Sequence, residues 1–222
     1  YWTVKAYNSA GESDAPAAFS FTTVPGGLVF IGDGTENKQL PIHPYYNYSY
    51  SQTIYLQSDI NVANQRLENI AFYWNGAAAG TNNRDWVVYM AHTDRTAFDG
   101  NQDWVPFDQL TQVFDGQVNI PAEEGWVNIA LQNPFVYNNT DNLLICVDEN
   151  TPGNNGNTGF FHSTNATATR ALVYYSDITN PDPASPPNAT RQQSAFANIR
   201  MQFGDLPTSP ILSYSPQSID FG

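Results

Sequence analysis

Asp99, Asn101 and Asp103 alternate along the run Asp99-Gly100-Asn101-Gln102-Asp103, directly ahead of Trp104. Alternate side chains of a tight loop point the same way, so three such oxygens can converge on one Ca²⁺, a hard cation that takes several oxygen ligands at about 2.4 Å. The rest of an EF-hand is missing: no glycine follows Asp103 and no glutamate closes a twelve-residue loop. Calcium held by Asp99, Asn101 and Asp103 therefore competes with a plain solvated loop rich in Asp and Asn. A second constellation is aromatic. Tyr45, Tyr46, Tyr48 and Tyr50 crowd with His43 into PIHPYYNYSY. Ring faces stack on sugars while polar tips hydrogen-bond, which makes Tyr45, Tyr46, Tyr48 and Trp104 candidate glycan contacts. The competing reading has alternate tyrosines covering a sheet edge or an interface, and Trp86 and Trp104 face the same choice.

Other reactive types are scattered. Asp148-Glu149-Asn150 reads as the polar end of a strand, and Glu123-Glu124 as a charged bend. His43, His92 and His162 stand singly, without metal-ligand spacing, and no nucleophile elbow, phosphate loop or zinc motif occurs. Two carboxylates joined only in space could still cleave a glycosidic bond, which spacing alone does not decide. The expectation is that the chain is not an enzyme. The single cysteine, Cys146, lies in LLICV and reads as a buried small hydrophobe with no disulfide partner. Asn47, Asn138, Asn165 and Asn188 open N-glycosylation sequons, which arise easily by chance in an Asn- and Thr-rich chain.

The elements that must position these residues are strands. With 222 residues, 41% of them apolar, the chain can fill one large β-sandwich or two small domains. The β-branched and aromatic runs expected as strands are 28–31, 52–56, 68–74, 86–91, 118–120, 126–131, 143–147, 159–162, 170–175 and 198–203, separated by turns such as Trp74-Asn75-Gly76 and Phe114-Asp115-Gly116. Gly125 to Asn150 reads as a central hairpin, with Asn138 to Asn142 as its turn. Only 108–114, with Leu110 and Val113 three apart, offers a helical turn. Short strands with polar connections predict an all-β, jelly-roll-like β-sandwich.

Charge narrows the partners. Asp and Glu outnumber Lys and Arg 21 to 8, a net charge of -13, so nucleic acid and anionic lipid meet repulsion. No run approaches the roughly 20 apolar residues of a membrane helix, and YWTVKAYNSAGES is not a signal peptide. A polar, lysine-poor surface suits exported adhesive or sugar-binding β-proteins.

Three family resemblances follow. Residues 1–24, with Tyr1, Trp2, Val4, Ala6, Asn8, Gly11 and Ser13 and then Phe21-Thr22-Thr23, resemble the last hairpin of a fibronectin type III domain. Residues 204–222 are similar to the first strand of an Ig-like repeat. Between them, I-G-x-G (31–34), S-Q-x-I-Y (51–55), I-A-F (70–72), V-Y-M-A-x-T (88–93), G-W-x-N-I-x-L-x-x-P-F-x-Y (125–137) and N-L-L-I-x-V (142–147) resemble a β-sandwich module of large secreted proteins of Bacteroidetes-type bacteria. The resemblance implies a domain over 27–203, an extracellular or cell-surface location and no assigned catalytic residues. It also implies neighbouring β-domains or identical subunits as partners. The function expected is an adhesion or structural module, able to assemble into a fibre or matrix by exchanging strands at its ends. The alternative is a carbohydrate-binding module, calcium-dependent or not, of a secreted multidomain enzyme.

Overall fold

A run such as Leu143 to Val147 has no face to give to water, and the fold covers both its sides. The computed structural model describes residues 7, 8, 11, 12, 27–62, 65–77, 83–153, 156 and 158–204. Its strands are β1 (Tyr7–Asn8), β2 (Gly11–Glu12), β3 (Leu28–Ile31), β4 (Glu36–Asn37), β5 (Tyr48–Tyr55), β6 (Gln65–Asn75), β7 (Asp85–Thr93) and β8 (Thr111–Gln117). They continue with β9 (Glu124–Tyr137), β10 (Asn142–Glu149), β11 (His162–Asn165), β12 (Ala171–Ser176), β13 (Arg191–Gln193), β14 (Ala195–Ala197) and β15 (Ile199–Gly204). Among the described residues, helix is confined to α1 (Gln57–Ile60) and a 3₁₀ turn at Phe107–Gln109.

The sandwich has a six-stranded sheet, β13-β12-β5-β10-β7-β8, facing a four-stranded sheet, β3-β15-β6-β9, with β14-β11-β4 as a smaller third sheet. Within these, β3-β15-β6-β9 and β5-β10-β7-β8 take jelly-roll order, and β12 and β13 extend the second sheet beyond β5. The all-β sandwich expected from strand spacing is thus the fold. β1 and β2 pair antiparallel, Tyr7 with Glu12 and Asn8 with Gly11. The rest of the fibronectin-like and Ig-like pieces, including Trp2 and Ile219, lies outside the described residues.

Two expectations are corrected. The segment from Gly125 to Asn150 is not a hairpin: β9 pairs with β6, whereas β10 pairs with β5 and β7 in the opposite sheet. The turn at Asn138–Asp141 therefore crosses the sandwich. Burial explains the split. β9 alternates, turning Val127, Ile129 and Leu131 inward and Asn128 and Ala130 to solvent, as an outer sheet requires, while β10 is buried from Leu143 to Glu149 and needs cover on both faces. The second correction is at 108–120, where a helical turn at 108–114 and a strand at 118–120 give way to β8 at Thr111–Gln117. Pairing with β7, Phe114 opposite Val88, overrides the weak local period.

The inner core gathers Phe72, Trp74, Trp86 and Phe161, with Phe161 at 4.9 Å from Trp74 and 5.8 Å from Trp86 between ring centroids. A second apolar layer lies on the far side of the six-stranded sheet. There Tyr50, Ile54, Leu144, Cys146 and Leu172 meet Phe98, Val105 and Ala189 from the connections at 94–110 and 177–190. The buried Gln52 carboxamide ties the first connection down like a stretch of backbone, accepting from Val105 N–H (2.7 Å) and donating to Val105 C=O (3.1 Å).

The I-G-x-G motif also has a structural cause. The N–H groups of Asp33 (3.0 Å) and Gly34 (2.7 Å) both donate to Thr164 Oγ1, and Asn198 Nδ2 donates to Gly34 C=O (2.7 Å). A Cβ on Gly34 would fall 2.5 Å from the Ser163 carbonyl and 2.8 Å from Thr164 Cα, backbone atoms that cannot swing aside. Gly34→Ala is expected to cost about 1–3 kcal/mol in a urea unfolding titration.

Candidate functional site

The tyrosine-rich stretch folds at one end of the sandwich, where the chain turns before entering β5. Tyr46 N–H closes the turn on His43 C=O (3.1 Å), and Ser51 Oγ donates to Pro41 C=O (2.5 Å). The far side is pinned by Asn47, whose N–H donates to Asp177 Oδ1 (3.2 Å) and whose Nδ2 donates to Asp177 C=O (2.8 Å). His43, Tyr45, Tyr46 and the unanticipated Tyr175 then form one ring cluster. His43 lies 4.8 Å from Tyr46 and 4.5 Å from Tyr175, Tyr46 stacks on Tyr175 at 4.5 Å, and Tyr45 sits 5.4 Å from Tyr46. Tyr45 is the exposed member at 46%, Tyr46 and Tyr48 are half-buried, and Tyr50 is in the outer core. No sequence signal places Tyr175 here: it joins through the pairing of β12 with β5, in which its register partner is Ser49.

Beside these rings, two carboxylates are buried at the end of β10. Asp148 faces the outer layer and Glu149 the inner core, because successive residues of a strand point to opposite sides. Burial pushes the Asp148 carboxyl up to about 7, with the charges of Asp182 and Asp85 adding to it. Burial pushes Glu149 to about 7 as well, against hydrogen bonds from Thr151 N–H (2.8 Å) and Asn83 Nδ2 (3.4 Å). Burial lowers His43 to about 4. His43 Nδ1, Asn47 Oδ1, Asn83 Oδ1, Arg84 Nε and Asp148 Oδ1 are buried here without hydrogen-bond partners. The polar strand end expected at Asp148-Glu149-Asn150 is therefore a buried acid pair, a placement that residue type disfavours and only the covered sheet imposes.

The remaining sequence candidates lie elsewhere. Asp103 Oδ1 pairs with Arg95 Nη1 (2.8 Å) and its Oδ2 accepts the Asp99 N–H (2.8 Å), so a guanidinium already supplies positive charge to that carboxylate. Asn101 is exposed, and its C=O accepts the Ala189 N–H (2.7 Å). Among the described residues, no group of three or more His, Cys, Asp or Glu is placed to hold a metal ion. Trp104 is half-buried against Tyr50 (5.1 Å) and donates Nε1–H to Pro187 C=O (2.9 Å), which joins the two covering connections. Its edge, with Phe107, Pro106, Pro183 and Pro186, lines a shallow cleft of about 490 Å³. The structure thus unites Tyr45 and Tyr46 and keeps Trp104 and the 99–103 loop apart from them.

Chemically, this end offers ring faces and protonatable acids. Asp148 and Glu149 project to opposite faces of one strand and cannot flank a single scissile bond. Burial raises the Cys146 thiol well above its ordinary value, so it is not a thiolate nucleophile at neutral pH.

No family model and no curated protein matches the sequence. Among solved structures, the chain is similar to the cysteine protease and lectin-like domains of Cwp84, a surface layer associated protein of Clostridium difficile, with 11% identity and a TM-score of 0.43 over 72% of this chain and 32% of that one. It is also similar to the clostridial cysteine protease Cwp84 after propeptide cleavage, with 11% identity and a TM-score of 0.42 over 72% of this chain and 36% of that one. The chain spans about a third of the length of the solved chains it matches.

Proposed function

We propose that this chain is a non-catalytic extracellular binding module, acting in adhesion at a cell surface or in a matrix, with saccharides as its ligand class. The observation that carries the reading is the His43-Tyr45-Tyr46-Tyr175 cluster, fixed by Asn47, Ser51 and Asn83 rather than left on a mobile tip. Preorganised rings bind a sugar without the entropy cost of ordering them. A lysine-poor, acidic surface agrees with export and turns away nucleic acid.

A glycan array probed with the wild type and with Tyr45→Ala tests the reading. Binding to at least one saccharide class, weakened tenfold or more by Tyr45→Ala, supports it, and no binding on the whole array rejects it. Assembly with like chains is a second reading, favoured by β3, which among the described strands pairs only with β15 and so leaves one edge open. Concentration-dependent oligomers in size-exclusion chromatography, without glycan binding, would establish assembly instead.

A further inference from the structure

One face of this module departs from what a half-buried sheet should show. In β3-β15-β6-β9 the inner side is packed on the core, so the outer side is expected to be polar. It instead carries two rows of outward side chains, Phe30-Arg200-Ala71-Asn128 and Leu28-Gln202-Asn69-Ala130, with Tyr73 opposite Trp126 at one end. Phe30 is 57% and Leu28 is 56% exposed. Ala71, in the first of these rows, is only 1% exposed. Phe30 meets Trp126 edge-on at 5.7 Å, Trp126 meets Tyr73 at 5.1 Å, Tyr73 meets His162 at 5.2 Å and His162 stacks on Phe160 at 5.6 Å. The result is a continuous band of rings with amide side chains along its border. An exposed apolar patch of this kind marks a binding surface.

Arg200 sets its chemistry. The guanidinium carbon lies 5.4 Å over the Trp126 ring and Nη2 donates to Asn128 Oδ1. Its other N–H groups have no protein acceptor among the described residues. Lys38, Arg66 and Arg95 are each held by a carboxylate, whereas Arg200 is held by a neutral amide and a ring. In a chain of net charge -13, a guanidinium propped upright by neutral groups keeps its full charge for a ligand. Acidic groups bracket it. Glu124 sits against Tyr73 beyond Trp126, and Asp33 and Asp59 line a shallow recess beside Phe30 at the end of the band.

We propose that this face binds a carboxylated sugar, with a pyranose ring on Phe30 and Trp126, its carboxylate on the free edge of Arg200, and hydroxyls on Asn128, Asn69 and Gln202. A fork of N–H donors suits a carboxylate, and the flanking Glu124, Asp33 and Asp59 repel one anywhere but at Arg200. A second copy of the chain is a poorer occupant, since the two surfaces would bring like net charges together. The proposal rests on the saccharide reading above and gives it a second site and a ligand class.

Isothermal titration of the full chain with two singly carboxylated sugars, methyl α-galacturonide and 3′-sialyllactose, and with their neutral counterparts methyl α-galactoside and lactose tests it, alongside Arg200→Gln, Phe30→Ala and Tyr45→Ala. Thermal melts establish that each variant is folded. One of the two carboxylated sugars is expected to bind at least tenfold more tightly than its neutral counterpart, and which one it is identifies the acid. Arg200→Gln should abolish that preference, and Phe30→Ala should weaken binding at least tenfold. Equal binding of acidic and neutral sugars, or a preference that survives Arg200→Gln, overturns the proposal. Loss through Tyr45→Ala alone would leave the saccharide reading standing and remove this face from it, and no binding of any of these sugars would reject this face, whereas the saccharide reading falls only with an empty glycan array.

Discussion

Trp86→Ala is expected to remove about 3–5 kcal/mol of stability, a large share of the roughly 5–15 kcal/mol that holds an ordinary domain together. Trp86 is fully buried between the two large sheets, with Phe161 at 5.8 Å and Phe72 at 6.4 Å. Truncation empties the space between the two sheets at this end of the sandwich, where neighbours anchored in both sheets cannot close in. It also strips a partner from a buried carbonyl, because Trp86 Nε1–H donates to Asn83 C=O at 2.7 Å. Trp86→Phe keeps most of the volume and loses mainly that hydrogen bond, so its cost should fall to about 1–2 kcal/mol. Urea unfolding of both variants checks the pair. A loss below about 1 kcal/mol for the alanine would show that this cluster does not carry the core. The other glycan candidate that the sequence leaves ambiguous, Trp104, also has a structural post, although a half-buried one.

What the sequence disclosed, and what it hid, follows from how far each signal reaches. Strand existence is a local property, and Leu28–Ile31 is read to the residue because short-range alternation and the flanking glycines define it. Pairing is not local. β9 and β10 are close neighbours along the chain yet belong to different sheets, and the distinction lay in a pattern that could have been used: Val127, Ile129 and Leu131 alternate with solvent-facing residues, whereas Leu143 to Val147 do not. The same lack of alternation in β10 announced a covering layer, which the connections at 94–110 and 177–190 supply. At the candidate site, Tyr45 and Tyr46 come together because they are adjacent in sequence, while Tyr175 joins them only through the β5–β12 pairing. Phe30, Trp126 and Arg200 come from three strands far apart in the chain, so no spacing rule could have united them. Asp148 and Glu149 misled for the opposite reason: residue type outvoted position, and the surface expected of two acids is occupied by other parts of the fold.

That buried pair makes stability depend on pH in an unusual direction. Asp148 and Glu149, with ordinary values of 3.8 and 4.5, are both raised to about 7 in the folded chain. A raised carboxyl contributes stability that is complete below its unfolded value and is lost as pH climbs through its folded one. At about 1.4 kcal/mol per unit, each contributes on the order of a few kcal/mol across the window from about pH 4 to 7. His43 acts oppositely: lowered from 6.5 to about 4, it contributes stability above pH 6.5 that is lost as pH falls through about 4. Burial lowers His92 also, with the same sign. Between pH 6.5 and 8 the two carboxyls dominate, so the melting temperature is expected to fall as pH rises through neutrality. Glu149→Gln should flatten that fall by raising the melting temperature at pH 8, where the wild type buries a charge, and should change it little near pH 4.5, where Glu149 is protonated. The neutral side chain also keeps an acceptor for Thr151 N–H in its carboxamide oxygen, so that contact need not be rebuilt. A melting temperature that holds level or climbs from pH 6.5 to 8, or a Glu149→Gln profile parallel to the wild type, would mean that the pair is charged and solvated rather than sealed beneath the sheet ends.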